Sequence, residues 1–577
     1  MTVAVEKELI DIVIDCETTG TNPHTCSLLG YSFIKGLNGK VNEPFYMSFE
    51  QYCKAHKNNH ITKDTINSYR FINHNCKYDK IVLQNHDFGD ISFYWDTMVA
   101  EYLLHINESV GLKEVFTRRF KEPMKTLVEV YNEATGEKRV NLPEDWYEKV
   151  PQSVLADYAN RDAENTYKLY LEQVKEFASK PDLYSWFTEI EMPLVNILAE
   201  MEIKGVRVDR AGVLKLKDEL EKKQGVLKHR LLSIAGNKEL NLNSGKQLQE
   251  VLYTKFGLPI LGKTPKGAPS TDTKVLTKLA SRHLFPRVLL EYRTIEKILS
   301  TYTQTLVDQL DSNDRLHTNY NQCLTYTRRF SSDSPNLQNI PSKGVGAEIK
   351  KCFIPSEGNK FFIYDYDQIE LRLLAHFSQD PTLLQAFKND EDLHQITADL
   401  IGKRLGRVFP RANGKTLNFS LIYGKSAYGF SKDWNCSRKE AEEIIAIYFS
   451  QYPGVREFMY NQIKKCKLSG GWLKSLAGLP LYVENINSHE SNLEEHARRC
   501  AVNYVIQGSC ADIIKKSIVD IYKRLSYIPV LQIHDELVFD IPYMKNAFDP
   551  IEQCMATAFK LDVPITVTSK IADRWEK

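Results

Sequence analysis

No C-x-x-C pair occurs anywhere in the 577 residues, and the 11 cysteines are scattered and odd in number. Structural zinc sites need closely spaced thiols and a disulfide framework needs an even set, so neither is expected to organise this chain, and the thiols should be reduced and mostly buried. No apolar run approaches the roughly 20 residues of a membrane span. No basic stretch followed by an apolar one opens the chain, so neither a signal nor a transit peptide is read. The chain is therefore expected to stay where it is made, in the cytoplasm, with no membrane partner. Repeats and low-complexity tracts are missing too. At roughly 150 residues per domain the length implies about three to five domains, and 42% hydrophobic content lets each bury a core.

Net charge is nearly missing as well, at +1. Spread evenly, that would argue against a polyanionic partner. It is not even: residues 210–300 hold 18 Lys and Arg against 8 Asp and Glu, whereas residues 1–110 hold 9 against 14. One region suits phosphates and the other metal cations, although solvated helix faces produce similar imbalances.

The first 180 residues alternate short apolar runs, such as LIDIVIDC from Leu9, with helical stretches such as SVLADYANRDAENTYKLYLEQV, which reads as an α/β head. From Thr188 the pattern turns helical and basic, with Gly205 and Gly236 as C-caps and LGKTPKGAPSTD from Leu261 as a loop. From about Tyr326 strands and helices mix, with long helices between Pro381 and Leu525 flanked by strand-like runs expected to meet in one sheet.

Two sets of carboxylates stand out. In IVIDCETTG the strand period of two puts Asp15 and Glu17 on one face and Cys16 on the other. Asn75 and Asp79, then Tyr158 and Asp162, are each spaced i and i+4, as on one helical face. A lone D-x-E is usually a solvent-facing edge, but an acid within an apolar strand is costly unless a cation pairs with it. Four such acids could hold two Mg²⁺ ions for phosphodiester hydrolysis, with Tyr158 orienting the water. In the second set, NKFFIYDYDQIELRLLAHFS is an apolar strand reaching Asp365 and turning helical from about Gln368. About 170 residues later IPVLQIHDELVFDIP alternates around His534, Asp535 and Glu536, as a hairpin with acids at its turn, so that Asp535 could face Asp365 across adjacent strands. Between them Arg411, Lys415, Phe419 and Tyr423 recur every fourth residue, a helical stripe of two cations and two aromatics. Such a stripe can hold a triphosphate and pack against a sugar and base; a salt-bridged amphipathic helix is the plainer reading.

These motifs carry a resemblance. Asp15-x-Glu17, Asn75-x-x-x-Asp79 and Tyr158-x-x-x-Asp162 resemble the DEDDy-type proofreading exonucleases, complete and in order. The second half is similar to family A DNA polymerases, the class of bacterial DNA polymerase I and several phage enzymes. Asp365 to Arg372 resembles motif A, R-x-x-x-K-x-x-x-F-x-x-x-Y-G at Arg411 to Gly424 motif B, and His534 to Glu536 motif C. TRRFSSDSPNLQNIP from Thr327, Asp392 to His394 and R-x-x-x-N-x-x-x-Q-G from Arg499 to Gly508 extend the match. The family usually has Gly at the position of Arg328, Ser at that of Asp367 and Gly at that of Ser420. No 5′ nuclease segment is read ahead of the exonuclease, nor a long thumb insertion, which suggests a compact, phage-like replicative enzyme working in a host cytoplasm.

The resemblance implies a multi-domain α/β architecture: an RNase H-like exonuclease at 1–187, then a right-hand polymerase. Its thumb would span 188–325, the palm 326–380 and 499–577, and the fingers 381–498. It implies template-directed DNA synthesis from dNTPs with 3′–5′ proofreading. Two Mg²⁺ ions, or Mn²⁺, would sit on Asp365 and Asp535 beside Glu536, and two more on Asp15, Glu17, Asp79 and Asp162, with Tyr158 near them. It assigns dNTP contacts to Gln368, Glu370, His394, Arg411, Lys415, Phe419 and Tyr423. Primed DNA would meet Arg329, Gln338, Asn339, Arg499, Asn503, Gln507 and His534, and a single-stranded 3′ end would enter the exonuclease site; accessory replication proteins are not specified. Rival readings are a single-subunit RNA polymerase relative, which Glu370 and the exonuclease set oppose, a stand-alone exonuclease, and a non-catalytic junction-binding scaffold.

Overall fold

A computed structural model describes residues 10–37, 40–55, 69–434, 436–543 and 548–576. The apolar run at the start forms strand β1 (Ile10–Thr18), in a six-stranded sheet with β2 (Leu28–Leu37), β3 (Lys40–Val41), β4 (Phe45–Ser48), β5 (Tyr69–Asn73) and β6 (Phe93–Asp96). Strand β1 is central, antiparallel to β2 and parallel to β5. Helix α1 (Cys76–Asn85) follows β5 directly, α2 (Leu112–Phe120) lies beyond β6, and α3 (Gln152–Phe177) packs across β1 and β2. Tyr167, Tyr170 and Phe177 of α3 join Val13, Ile72 and Trp95 in one apolar core. This is the α/β head expected from the sequence.

Helix α4 (Met192–Lys204) stands between two cores. Its Met192 and Val195 belong to the head core, while Leu194, Ile197, Leu198 and Met201 belong to the largest core of the second half. The border expected after residue 187 thus falls in a helical stretch that both cores share. The basic helices come next: α5 (Arg210–Ala235), ended by Gly236 in the left-handed region, packs on α6 (Leu284–Ile298) through Leu227, Leu231, Phe285 and Leu289.

A four-stranded antiparallel sheet organises the rest, in the order β10–β11–β7–β12. Its strands are β7 (Asn359–Tyr366), β10 (Leu531–Ile533), β11 (Glu536–Pro542) and β12 (Val567–Ala572). Phe362, Tyr364 and Tyr366 of β7 face one core, Phe361 and Ile363 the other. Burial on both faces explains why FFIY, Phe361 to Tyr364, reads as a continuous apolar run rather than an alternating one. Between β7 and β10 come α7 (Ile369–Ser378), α8 (Leu393–Leu405), α9 (Arg411–Ile422), a small hairpin of β8 (Trp472–Lys474) and β9 (Pro480–Tyr482), and the 35-residue α10 (Ser491–Leu525). The strands on either side of the helical region do meet in one sheet. All 11 cysteines are free, and no helix among the described residues is long and apolar enough to cross a membrane.

A buried ion pair joins the two halves. Lys515 of α10 lies 2.9 Å from Glu191, both side chains at most 1% exposed, and Trp186 Nε1 donates to the same carboxylate at 3.0 Å. Breaking one partner leaves a buried charge uncompensated, so Lys515→Met is expected to cost about 3–5 kcal/mol. Removing the half-exposed Lys516–Asp520 pair by Lys516→Met should cost under about 1 kcal/mol. Denaturant midpoints of the two variants measure the difference, and equal midpoints refute it.

Two candidate active sites

The first carboxylate set converges. Asp15 and Glu17 sit at the C-terminal end of β1, Asp79 in the first turns of α1, and Asp162 midway along α3. Cys16 N–H donates to Asp79 Oδ1 at 2.9 Å, tying α1 to the strand between its two acids. Asn73 Nδ2 lies 3.4 Å from Asp15 Oδ1. Asn75, expected to share a helical face with Asp79, instead precedes the helix in left-handed backbone (φ 66°), its N–H donating to Asp96. Asp79 reaches the site from the helix alone.

The electrostatics show what this convergence costs. Burial and then the charge of Asp162 push Asp15 up to about 7. Burial followed by Asp15 holds both Glu17 and Asp79 well above the usual carboxylate range. Burial raises Asp162 as well, against the opposing pull of Lys113. Lys113, on α2, donates to Asp162 Oδ2 and lies 4.5 Å from the centroid of the Tyr158 ring. Sequence reasoning missed it, since nothing in the spacing of residues 113 and 162 announces the contact. One ammonium against four acids leaves a donor set of hard oxygens short of positive charge, which fits divalent cations. Among the described residues no group of three or more His, Cys, Asp or Glu side chains is arranged to hold a metal ion as it stands.

In the second set, Asp365, the penultimate residue of β7, pairs in register with Glu536, the first residue of β11. Asp535 sits one residue earlier in the two-residue turn between β10 and β11, and its carbonyl accepts Tyr366 N–H at 3.2 Å. The expected strand adjacency is therefore present, with Glu536 directly opposite Asp365 and Asp535 at the turn beside them. Glu536 is 1% exposed and its Oε1 accepts Trp575 Nε1 at 2.7 Å. His534, exposed, takes left-handed backbone (φ 57°) and starts the turn. A chain of amides steadies it: Gln338 Nε2 donates to Gln532 Oε1 at 2.9 Å, and Gln532 Nε2 to the His534 carbonyl at 2.5 Å.

The four-residue stripe lies along α9 as expected. Arg411 and Lys415 are exposed, Phe419 is half-buried, and Tyr423, at the C-cap, is exposed. Arg411 Nε donates to Asp392 Oδ2 at 2.5 Å, and Asp392 also caps α8. His394, on α8, is 3% exposed, and its ring centroid is 5.7 Å from that of Phe419. Burial, then Arg411 and Lys415, lower it to about 4, so it is neutral at pH 7. Tyr423 donates its hydroxyl to Glu370 Oε2 at 2.7 Å, Arg329 donates to Glu370 Oε1, and Gln507 bonds Tyr423. Arg499 crosses Gly424, whose left-handed backbone (φ 66°) leaves no room for a Cβ against the Arg499 stem. Two buried oxygens in this cleft have no partner, Gln368 Oε1 and Asn503 Oδ1. Unsatisfied buried acceptors cost free energy and are spared when a ligand supplies a donor. Asn339 is exposed on the adjoining loop.

The second half thus carries acids at one end of an antiparallel sheet with a cationic helix, and the first half an α/β domain with its own acid cluster. Residues 210–577 match the model of DNA polymerase family A and residues 3–177 that of a 3′–5′ exonuclease. The chain belongs to DNA polymerase family A. It is 33% identical to DNA polymerase I of Pseudomonas aeruginosa over 99% of its own length and 64% of the relative's. To DNA polymerase I of Bacillus subtilis it is 39% identical, over 74% and 49%. The polymerase domain of Pol1 from M. smegmatis, solved in complex with DNA primer-template and dNTP, superposes with a TM-score of 0.83 at 25% identity, covering 99% of this chain and 96% of that one. The chain spans less than two-thirds of the length of these curated relatives.

The raised carboxyls of the first site fix the sign of a pH dependence. Their folded-state pKa values lie above the unfolded value of 3.8 for Asp, so in metal-free protein their contribution favours the fold below about pH 4 and is lost as pH rises through about 7. In EDTA, Asp15→Asn is therefore expected to be more stable than the parent at pH 8, by about 1–3 kcal/mol, and equally stable or less so at pH 4. Thermal unfolding at the two pH values measures it; a parent that stays more stable at pH 8 overturns the electrostatic account.

Proposed function

We propose that this chain copies a primed DNA template from dNTPs at the second site and removes mispaired 3′ ends at the first. The observation that carries the reading is the register that sets Asp365 against the Asp535–Glu536 turn, across from a helix face bearing Arg411 and Lys415. Separate acid clusters support separate activities.

Asp365 and Asp535 would hold two Mg²⁺ ions, or Mn²⁺, and Asp15, Glu17, Asp79 and Asp162 two more; bound there, such ions lower the pKa of the attacking hydroxyl or water and offset charge on the departing oxygen. Glu536, bonded to Trp575, keeps the hairpin in place beside its acidic neighbours. Arg411 and Lys415 bind the triphosphate as fixed charges, while His394, neutral before the nucleotide arrives, offers an N–H donor. Phe419 packs against the sugar or base, and Tyr423 covers the template-base position. Glu370, held between Arg329 and Tyr423, is placed to exclude a ribose 2′-hydroxyl, which favours DNA over RNA synthesis. Gln368 and Asn503 present their unpaired oxygens to the nucleotide and the DNA minor groove. Arg329, Gln338, Asn339, Arg499, Gln507 and His534 line the same route, where contacts to backbone and minor groove carry little sequence information. In the exonuclease site Tyr158 orients the water that attacks a single-stranded 3′ end. The setting is DNA replication in the cytoplasm.

On one labelled primed template with Mg²⁺, Asp535→Ala is expected to lose extension by at least about 100-fold and retain 3′ degradation, and Asp15→Ala the reverse. If either variant loses both activities or neither, the two-site reading fails. Lys415→Ala should raise KM for dNTP about 10- to 100-fold with 3′ degradation unchanged, as steady-state extension kinetics will read; an unchanged KM removes Lys415 from the nucleotide site.

A further inference from the structure

Arg328 combines features that rarely coincide. Its side chain is buried, with the whole residue 0% exposed, and its backbone is left-handed at φ 57°, a region in which glycine is at ease and a long side chain is strained. Burying a guanidinium demands partners, and it has two: Nη2 donates to Asp512 Oδ1 of α10 at 2.8 Å and Nη1 to the Pro480 carbonyl of β9 at 2.6 Å. Asp512 completes the joint by accepting Ala477 N–H at 3.1 Å from the turn of the same hairpin. The guanidinium Nε remains unpaired. Backbone strain, desolvation and one unsatisfied donor are costs that a purely space-filling side chain would not incur.

What the arrangement achieves lies one residue on. Arg328 N–H closes a turn onto the Thr325 carbonyl at 2.9 Å, and Thr325 Oγ1 donates to the Arg329 carbonyl at 2.9 Å. Arg329 leaves this turn to donate to Glu370, which also receives the Tyr423 hydroxyl. With Arg328 clamped to two other segments, the peptide from which Arg329 springs is held on both sides. We propose that Arg328 is a positioning residue for sugar selection: its buried bonds to Asp512 and Pro480 fix the turn that aims Arg329 at Glu370. The inference rests on the reading of Glu370 as the group that excludes a ribose 2′-hydroxyl.

The test compares Arg328→Gly, Asp512→Asn and the double variant with the parent. Arg328→Gly suits the backbone but removes the clamp; the double variant also removes the charge otherwise left buried, so it should fold where a single variant does not. Read out are kcat and KM for a dNTP and the matching rNTP, together with thermal unfolding. Arg328→Gly and the double variant are expected to lose about fivefold or more in the ratio of kcat/KM for dNTP over rNTP, with kcat for dNTP changing less than about threefold. Arg328→Lys, which keeps the ion pair, should recover part of the ratio. Lowered stability with the ratio intact in all variants makes Arg328 a structural residue only and overturns the inference. Glu370→Ala run in parallel separates the causes. If it loses discrimination while Arg328→Gly does not, the positioning role alone is wrong, and if Glu370→Ala keeps discrimination, the sugar reading and the inference fall together.

Discussion

Pairing of β7 with β11 is the constraint from which the second half of the molecule takes its shape. It joins segments about 170 residues apart and, because side chains alternate along a strand, a slip of one residue would put Asp365 and Glu536 on opposite faces. The register is over-determined. Phe362, Tyr364 and Tyr366 must face one core and Phe361 and Ile363 the other, so a one-residue slip would turn each set toward the wrong core. Closing so long a loop costs little more than closing a short one, since the entropy grows only logarithmically. The intervening chain is free to build helices, and α10 brings it back along the sheet, its Ser517 hydroxyl 2.6 Å from that of Tyr366.

The two sites hold negative charge in different ways. In the first, four acids are buried together and raise one another, with Lys113 as the cation in contact. In the second, Glu370 is already matched by Arg329 and Tyr423, Arg411 is paired with Asp392, and Arg411 and Lys415 are both exposed. The first cluster is mostly acidic, whereas the second sets exposed cations beside its acids. The basic stretch at 210–300 contributes no residue to either cluster, so the cations beside the second are a local feature of α9 and not of that stretch.

Much of this was legible in the residues because it is written in local periods. A repeat of two placed Asp15 and Glu17 on one face, a repeat of four placed Arg411 to Tyr423 on one stripe, and an apolar run marked β7 as a strand reaching Asp365. What escaped depends on partners distant in sequence. Asn75 was assigned to a helical face but lies outside the helix, because Asp96 from the next strand takes its N–H and that of Cys76. Lys113 and Asp162 lie 49 residues apart, and Arg328 and Asp512 184. The sequence shows a helical stretch ending at Gly205, but not that Met192 and Val195 would join one core and Leu194, Ile197, Leu198 and Met201 another.

Asp367 is another departure from the family pattern, and the sheet limits what it can do. Its N–H donates to the Thr566 carbonyl at 3.0 Å and its Oδ1 accepts the Thr568 hydroxyl at 2.6 Å, so the carboxylate is turned toward β12. The Asp535 turn belongs to β11, on the opposite flank of β7. Neighbouring strands lie about 4.8 Å apart, which places the two flanks roughly two strand spacings from one another. A carboxylate held by β12 therefore adds negative potential near Asp365 while staying on the flank of β7 opposite the Asp535 turn. Its influence acts through field strength, which ionic strength screens, and leaves the geometry that the strand register imposes intact.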